Sequence, residues 1–199
     1  MDIKTPEDKF KNLTPNDEEF EEFVATLVNE SQDHSHHLSL FLGVFLPDKK
    51  QALKKISDKT GLTVETIDFN DVVSRSEEET FSNLDRVFDK HKSMQSILYF
   101  RNGDKLCGAY TGFTHSRVKY ATPQERYFLK KVQEYQGIVI VDITQYTAAD
   151  KTLRRAAGSV ISFPLPDSKM KRFLWHLKNY TLHGFELRSK RPEAYGEVS

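Results

Sequence analysis

Two residues of this chain have the types and spacing to hold a phosphate. Gly43 closes the apolar run that starts at Leu38, and Lys49 stands where a helix should begin. That is the skeleton of the loop G-x-x-x-x-G-K-[ST]. In that loop, backbone N–H groups cradle phosphates, the lysine neutralises them and the hydroxyl holds magnesium. Here Asp48 stands at the second glycine and Lys50 at the hydroxyl. Pro47 has no N–H to offer, and Asp48 would bring a carboxylate toward the phosphates. Two readings of Lys49 follow. Either it meets a phosphate, with Lys50 beside it, or both are solvated lysines in a first helical turn where Asp48 is a favourable charge.

Other groups could do chemistry. Asp33, His34, His36 and His37, with His115 elsewhere, could hold a metal, but no Cys or Glu sits at a diagnostic spacing, so a polar connector and no metal is the expectation. Cys107 is the lone cysteine. A thiol nucleophile needs an oxyanion site, and nothing in the sequence fixes one. Lys169, Lys171, Arg172 and Lys178 interleave with Phe173, Leu174, Trp175 and Leu177, which suits either nucleic acid or, more simply, a helix packing its apolar face.

The elements that must position these residues alternate. Helices are expected from Asn16–Asp17 to Glu30, over 48–59, 77–91, 123–135, 148–157 and 169–180, from their apolar spacing, caps and the proline at 123. Short buried strands are expected at 38–44, 62–69, 96–100, 137–142 and 159–163. This alternation predicts a mostly parallel sheet covered on both faces. The expected organisation is a helical N-terminal segment (1–34), one α/β domain (35–180) and a C-terminal tail (181–199). The 199 residues carry 29 Lys+Arg against 29 Asp+Glu. That balance gives no basic field for nucleic acid. There is neither an apolar membrane span nor a signal core, so a cytoplasmic protein is expected.

Val72-Val73-Ser74-Arg75-Ser76-Glu77-Glu78-Glu79-Thr80-Phe81-Ser82-Asn83-Leu84-Asp85-Arg86-Val87-Phe88 resembles the segment after the second strand of AAA-family ATPases, whose usual form is close to VVSKYIGETEKNLDRVF. The preceding GLTVETIDFNDVVS is similar to that second strand. Downstream, SILYFRNGDKLCG resembles AILFFDEADALFG, RYFLKKVQEYQGIVIVDIT resembles the helix and strand leading to the first sensor, and TLRRAAGSVISFPLPD resembles the arginine-finger segment and last strand. The ordered resemblance covers about residues 35 to 178. Its nearest flavour is the bacterial type that accompanies contractile injection systems.

The resemblance implies a three-layer α/β/α sandwich with a five-stranded P-loop NTPase-like sheet, and a helical lid that is largely absent. It makes Gly43, Lys49, Lys50, Asp104 and Thr144 vestigial nucleotide-site positions, and Arg154 and Arg155 interface residues. The magnesium aspartate and the water-activating glutamate are replaced by Arg101 and Asn102, and neither residue can take that role. The pore aromatic becomes Ser76, and its glycine becomes Glu78. The expectation is therefore a catalytically inactive domain, with no catalytic residue and no cofactor. It would dock on a protein partner such as an AAA ring or a contractile injection assembly. The alternatives are a divergent ATPase that binds ATP or ADP weakly through Lys49, and a nucleic-acid module using the basic C-terminal helix.

Overall fold

The computed structural model describes residues 10–12, 17–33, 35–92, 96–107, 109–110, 119–145, 148–165, 168–170, 172–173, 180–183 and 186–189. In chain order these form β1 (Phe10–Asn12), α1 (Glu18–Gln32), β2 (His37–Leu42), α2 (Leu46–Thr60), β3 (Val64–Asp68), α3 (Phe69–Val72), α4 (Glu77–His91), β4 (Ile97–Arg101), β5 (Ala109–Tyr110) and β6 (Lys119–Tyr120). Then come α5 (Pro123–Glu134), β7 (Ile138–Ile143), α6 (Lys151–Ala156), β8 (Ser159–Ser162), β9 (Tyr180–His183) and β10 (Glu186–Ser189). Gly103–Lys105 forms a 3-10 turn.

Six strands form one sheet in the order β1-β8-β2-β7-β4-β3. Every pairing in it is parallel. The five expected strands are its inner members and its β3 edge, and β1 adds a strand beside β8. The alternation of side chains along each strand divides the core in two. Leu38, Leu40 and Leu42 of β2, Leu98 and Phe100 of β4, and Val139, Val141 and Ile143 of β7 pack with α3, α4, α5 and α6. Phe41, Tyr99, Ile97, Ile138 and Ile140 project the other way, onto Phe20, Val24 and Leu27 of α1 and Ala52, Leu53 and Ile56 of α2. The result is the three-layer α/β/α arrangement. The aromatic wealth of the sequence has a location in it: Phe69, Phe88, Phe100 and Phe128 form a ring cluster, with centroids 4.9 Å apart for Phe69–Phe100 and 5.1 Å for Phe100–Phe128.

Three expectations need correction. The N-terminal helix is no separate segment, because Phe20, Val24 and Leu27 are core residues of the sandwich. The final helix does not extend to 180. Its described part is Lys169, Met170, Arg172 and Phe173, and Tyr180 opens β9. Lys171, Leu174, Trp175, Leu177 and Lys178 lie outside the described residues, as does the tail from 190 onward. Nor is the stretch after 180 simply a tail, since β9 and β10 pair antiparallel as a hairpin. Residues 1–164 form one compact unit and 165–199 another. Among the described residues, no helix is long and apolar enough to cross a membrane.

Candidate functional site

The carboxyl ends of β2, β7 and β4 lie side by side, so the loops that follow them bring most of the candidate residues to one edge. In open α/β sheets this is where ligands bind. The β2 turn is short. The strand ends at Leu42, and α2 begins at Leu46 with Pro47 in its first turn and no side-chain cap from Phe45. Gly43 turns the chain at φ 100°. A Cβ there would stand 2.3 Å from the Phe163 carbonyl oxygen, so both the left-handed backbone and the close approach demand glycine. Its N–H donates to the carbonyls of Ile143 and Thr144 at 3.1 Å. The N–H that a phosphate-binding turn would aim at its ligand is therefore spent inside the sheet edge.

Lys49 corrects the reading of it as a solvated lysine. It is 1% exposed. Its Nζ donates to the Gly43 carbonyl at 2.5 Å and is ion-paired with the Asp142 carboxylate. The other Asp142 oxygen accepts from the Tyr99 hydroxyl at 2.7 Å. Strand parity explains the meeting. Asp142 follows Ile138 and Ile140 on the α1–α2 face of β7, Tyr99 takes the same face of β4, and Lys49 lies on the first turn of α2 above them. Lys50, one step around the helix, is exposed.

Asp104 and Thr144, expected as separate remnants, are joined. One Asp104 oxygen accepts from the Thr144 N–H at 3.0 Å and from its hydroxyl at 2.7 Å. Asn102, at the position of the water-activating base, adopts φ 58°. Its amide donates to both oxygens of Asp68, at 2.8 and 2.9 Å. Gly103 is buried, and a Cβ there would meet Val141 Cγ1 at 2.6 Å, so no larger residue fits. Asn102-Gly103 thus lets the end of β4 turn tightly against β7. Arg101 is half-buried at the end of β4.

Arg154 is half-buried and donates from Nε to the Ala149 carbonyl at 3.0 Å, bracing the entry to α6, whereas Arg155 is exposed. Ser76, at the pore-aromatic position, caps α4. Its hydroxyl accepts from the Glu79 N–H at 3.3 Å and donates to Glu78 at 2.8 Å, which holds the Glu78 carboxyl below its usual range.

The histidine run does not converge. His36 is exposed, His34 and His115 lie outside the described residues, and His37 is the buried first residue of β2. The His37 ring lies between the Glu30 carboxylate at Nδ1 and the hydroxyls of Ser39 and Ser159, both 3.0 Å from Nε2. This network ties α1 to the amino ends of β2 and β8, at the opposite edge from Lys49. Cys107 is half-buried against the core. Among the described residues, no group of three or more His, Cys, Asp or Glu could hold a metal.

Asp142 was not singled out in the sequence, yet a signal for it existed. GIVIVDI is a strand buried along its length, and its one carboxylate shares the parity of Ile138 and Ile140. A charge at such a position must find a buried cation or hydrogen-bond donors.

No protein-family model matches this chain, and no curated protein matches it. Among solved structures, it is similar to a chain of the E. coli MS115-1 HORMA:CdnC:Trip13 complex, with a TM-score of 0.57 and 12% identity over 89% of this chain and 72% of that one. At that identity the likeness is one of fold. It agrees with the parallel three-layer sheet and says nothing about which side chains act.

Proposed function

We propose that this is a catalytically inactive AAA-like domain that serves as a structural or protein-interaction module without ATP hydrolysis. The observation that carries the reading is the Lys49–Asp142–Tyr99 cluster: the lysine of the expected phosphate loop is ion-paired with the protein's own carboxylate. Arg101 and Asn102 at the metal and base positions support it further, because the Arg101 cation repels magnesium and the Asn102 amide cannot take a proton from water. Asp104 and Thr144 satisfy each other. The solved neighbour belongs to a complex of several proteins and gives a weak link to AAA ATPases through its Trip13 component. Both facts favour a protein as partner. By the resemblance, that partner is an AAA ring or a contractile injection assembly, with exposed Arg155 on the docking side.

The test is thermal unfolding of the whole chain titrated with MgATP and MgADP. No shift at millimolar nucleotide is expected, because a ligand that binds the native state must stabilise it. A rise that grows with nucleotide concentration and is abolished by Lys49→Ala would overturn the reading in favour of a divergent nucleotide-binding protein.

A further inference from the structure

We infer that the Lys49 pocket is a built anion site whose resident anion is the Asp142 carboxylate, and that deleting this carboxylate converts it into a site for a small exogenous oxyanion. This rests on the reading of the domain as non-hydrolysing and deepens it, since it names the group that keeps the site shut.

The chemistry of the pocket is specific. A lysine that is 1% exposed cannot hold its charge by hydration. Its Nζ meets a neutral oxygen, the Gly43 carbonyl, and a charged oxygen of Asp142. The carbonyl cannot swing away, because Gly43 is fixed by its own N–H bonds and by the Phe163 backbone beside it. The second carboxylate oxygen is also placed, by the Tyr99 hydroxyl at 2.7 Å, and Tyr99 is itself 4% exposed. A cation, a hydroxyl donor and a rigid turn thus converge on one two-oxygen anion. Tethering that anion to β7 makes it an intramolecular competitor that no free phosphate meets on equal terms.

Replacing Asp142 by alanine removes the two oxygens and leaves the cation and the hydroxyl donor around a space of carboxylate size. Formate has the same planar pair of oxygens and fits the deleted group atom for atom. It would accept from Lys49 Nζ on one oxygen and from the Tyr99 hydroxyl on the other.

The experiment is thermal unfolding of the wild-type chain, Asp142→Ala and the double variant Lys49→Met/Asp142→Ala, each titrated with sodium formate against sodium chloride at matched ionic strength. The expected result is a rise for Asp142→Ala alone that continues logarithmically, roughly 3–6 °C for each tenfold in formate above its dissociation constant. An equal response of all three proteins, or none by a folded Asp142→Ala, overturns the inference. Should Asp142→Ala not fold unaided, its refolding yield with and without formate decides. Recovery by formate that the double variant does not share supports the inference, and no recovery overturns it. A wild-type response to MgADP is a separate outcome. It would overturn the proposed function and leave the formate result standing, whereas failure of formate rescue with no MgADP response removes only the anion-site assignment.

Discussion

Two pairs at the same sheet edge descend from the same expected site and have opposite physical standing. Lys49 and Asp142 are joined in the interior, with side chains 1% and 14% exposed. Asp104 and Thr144 are joined by bonds of ordinary length at an exposed position. Each satisfies its own polar groups, so neither presents an open donor set to a ligand. They differ in what breaking them leaves behind. Separating the outer pair hands both groups to water, while separating the inner one strands a charge in a medium that cannot solvate it. On the proposed reading, the buried pair is what closes the site, and the exposed pair is a turn fastening that the site can do without.

The strongest way to test this contrast is Lys49→Met, which leaves the Asp142 carboxylate without its cation. Breaking one side of a buried pair costs about 3–5 kcal/mol, so chemical denaturation should show a loss of that size. A loss below about 1 kcal/mol would mean the pair is effectively solvated. Next is Gly43→Ala. The left-handed backbone and the clash with Phe163 together should cost about 2–3 kcal/mol, measured the same way, and should also weaken the cluster by shifting the carbonyl that Lys49 uses. Tyr99→Phe removes only the hydroxyl that orients Asp142. About 1–2 kcal/mol is expected, because the lost bond is made to a charged group. If it matched Lys49→Met, the tyrosine and not the lysine would be the main partner of Asp142. Smallest of all is Asp104→Ala, for which about 0.5 kcal/mol or less is expected at an exposed site. A large effect there would erase the distinction between the two pairs.

Most of the sandwich was legible in the sequence because its strands are short, apolar or, in β3, alternating, and flanked by periodic helices. The 77–91 helix was placed at its observed bounds, and the five principal strands lie within two residues of theirs at each end. Features with no periodic signal were not legible. Phe10–Asn12 is a strand only because β8 offers it a partner, and Ala109–Tyr110 and Lys119–Tyr120 are too short to carry a pattern. The site was half legible. Gly43 and Lys49 could be named from spacing, but the partner of Lys49 lies 93 positions away in sequence, on a strand that reads as uniformly apolar until its end. Parity along β7 points to Asp142, whereas the positions implied by the family resemblance do not include it. The same blindness made Lys49 look solvated, since a lysine in a first helical turn is usually wet and only the neighbouring strand shows that this one is not.

The alternation that divides the core into two has a further consequence for how β7 finds its place. Ile138–Ile143 is apolar on both faces, so sliding the strand by one or two positions against β2 or β4 would still bury hydrocarbon against hydrocarbon. Most of the strand is indifferent to register, which leaves few groups to specify it. Asp142 is not indifferent. Only in the observed pairing, with Asp142 opposite Phe41, does its carboxylate reach both Lys49 and Tyr99. The Lys49–Asp142 pair therefore also works as an alignment mark for the central strand. A Lys49→Met/Asp142→Leu chain should keep its helices while losing sharpness in the amide resonances of β7, and uniformly sharp β7 signals would show that the register is set elsewhere.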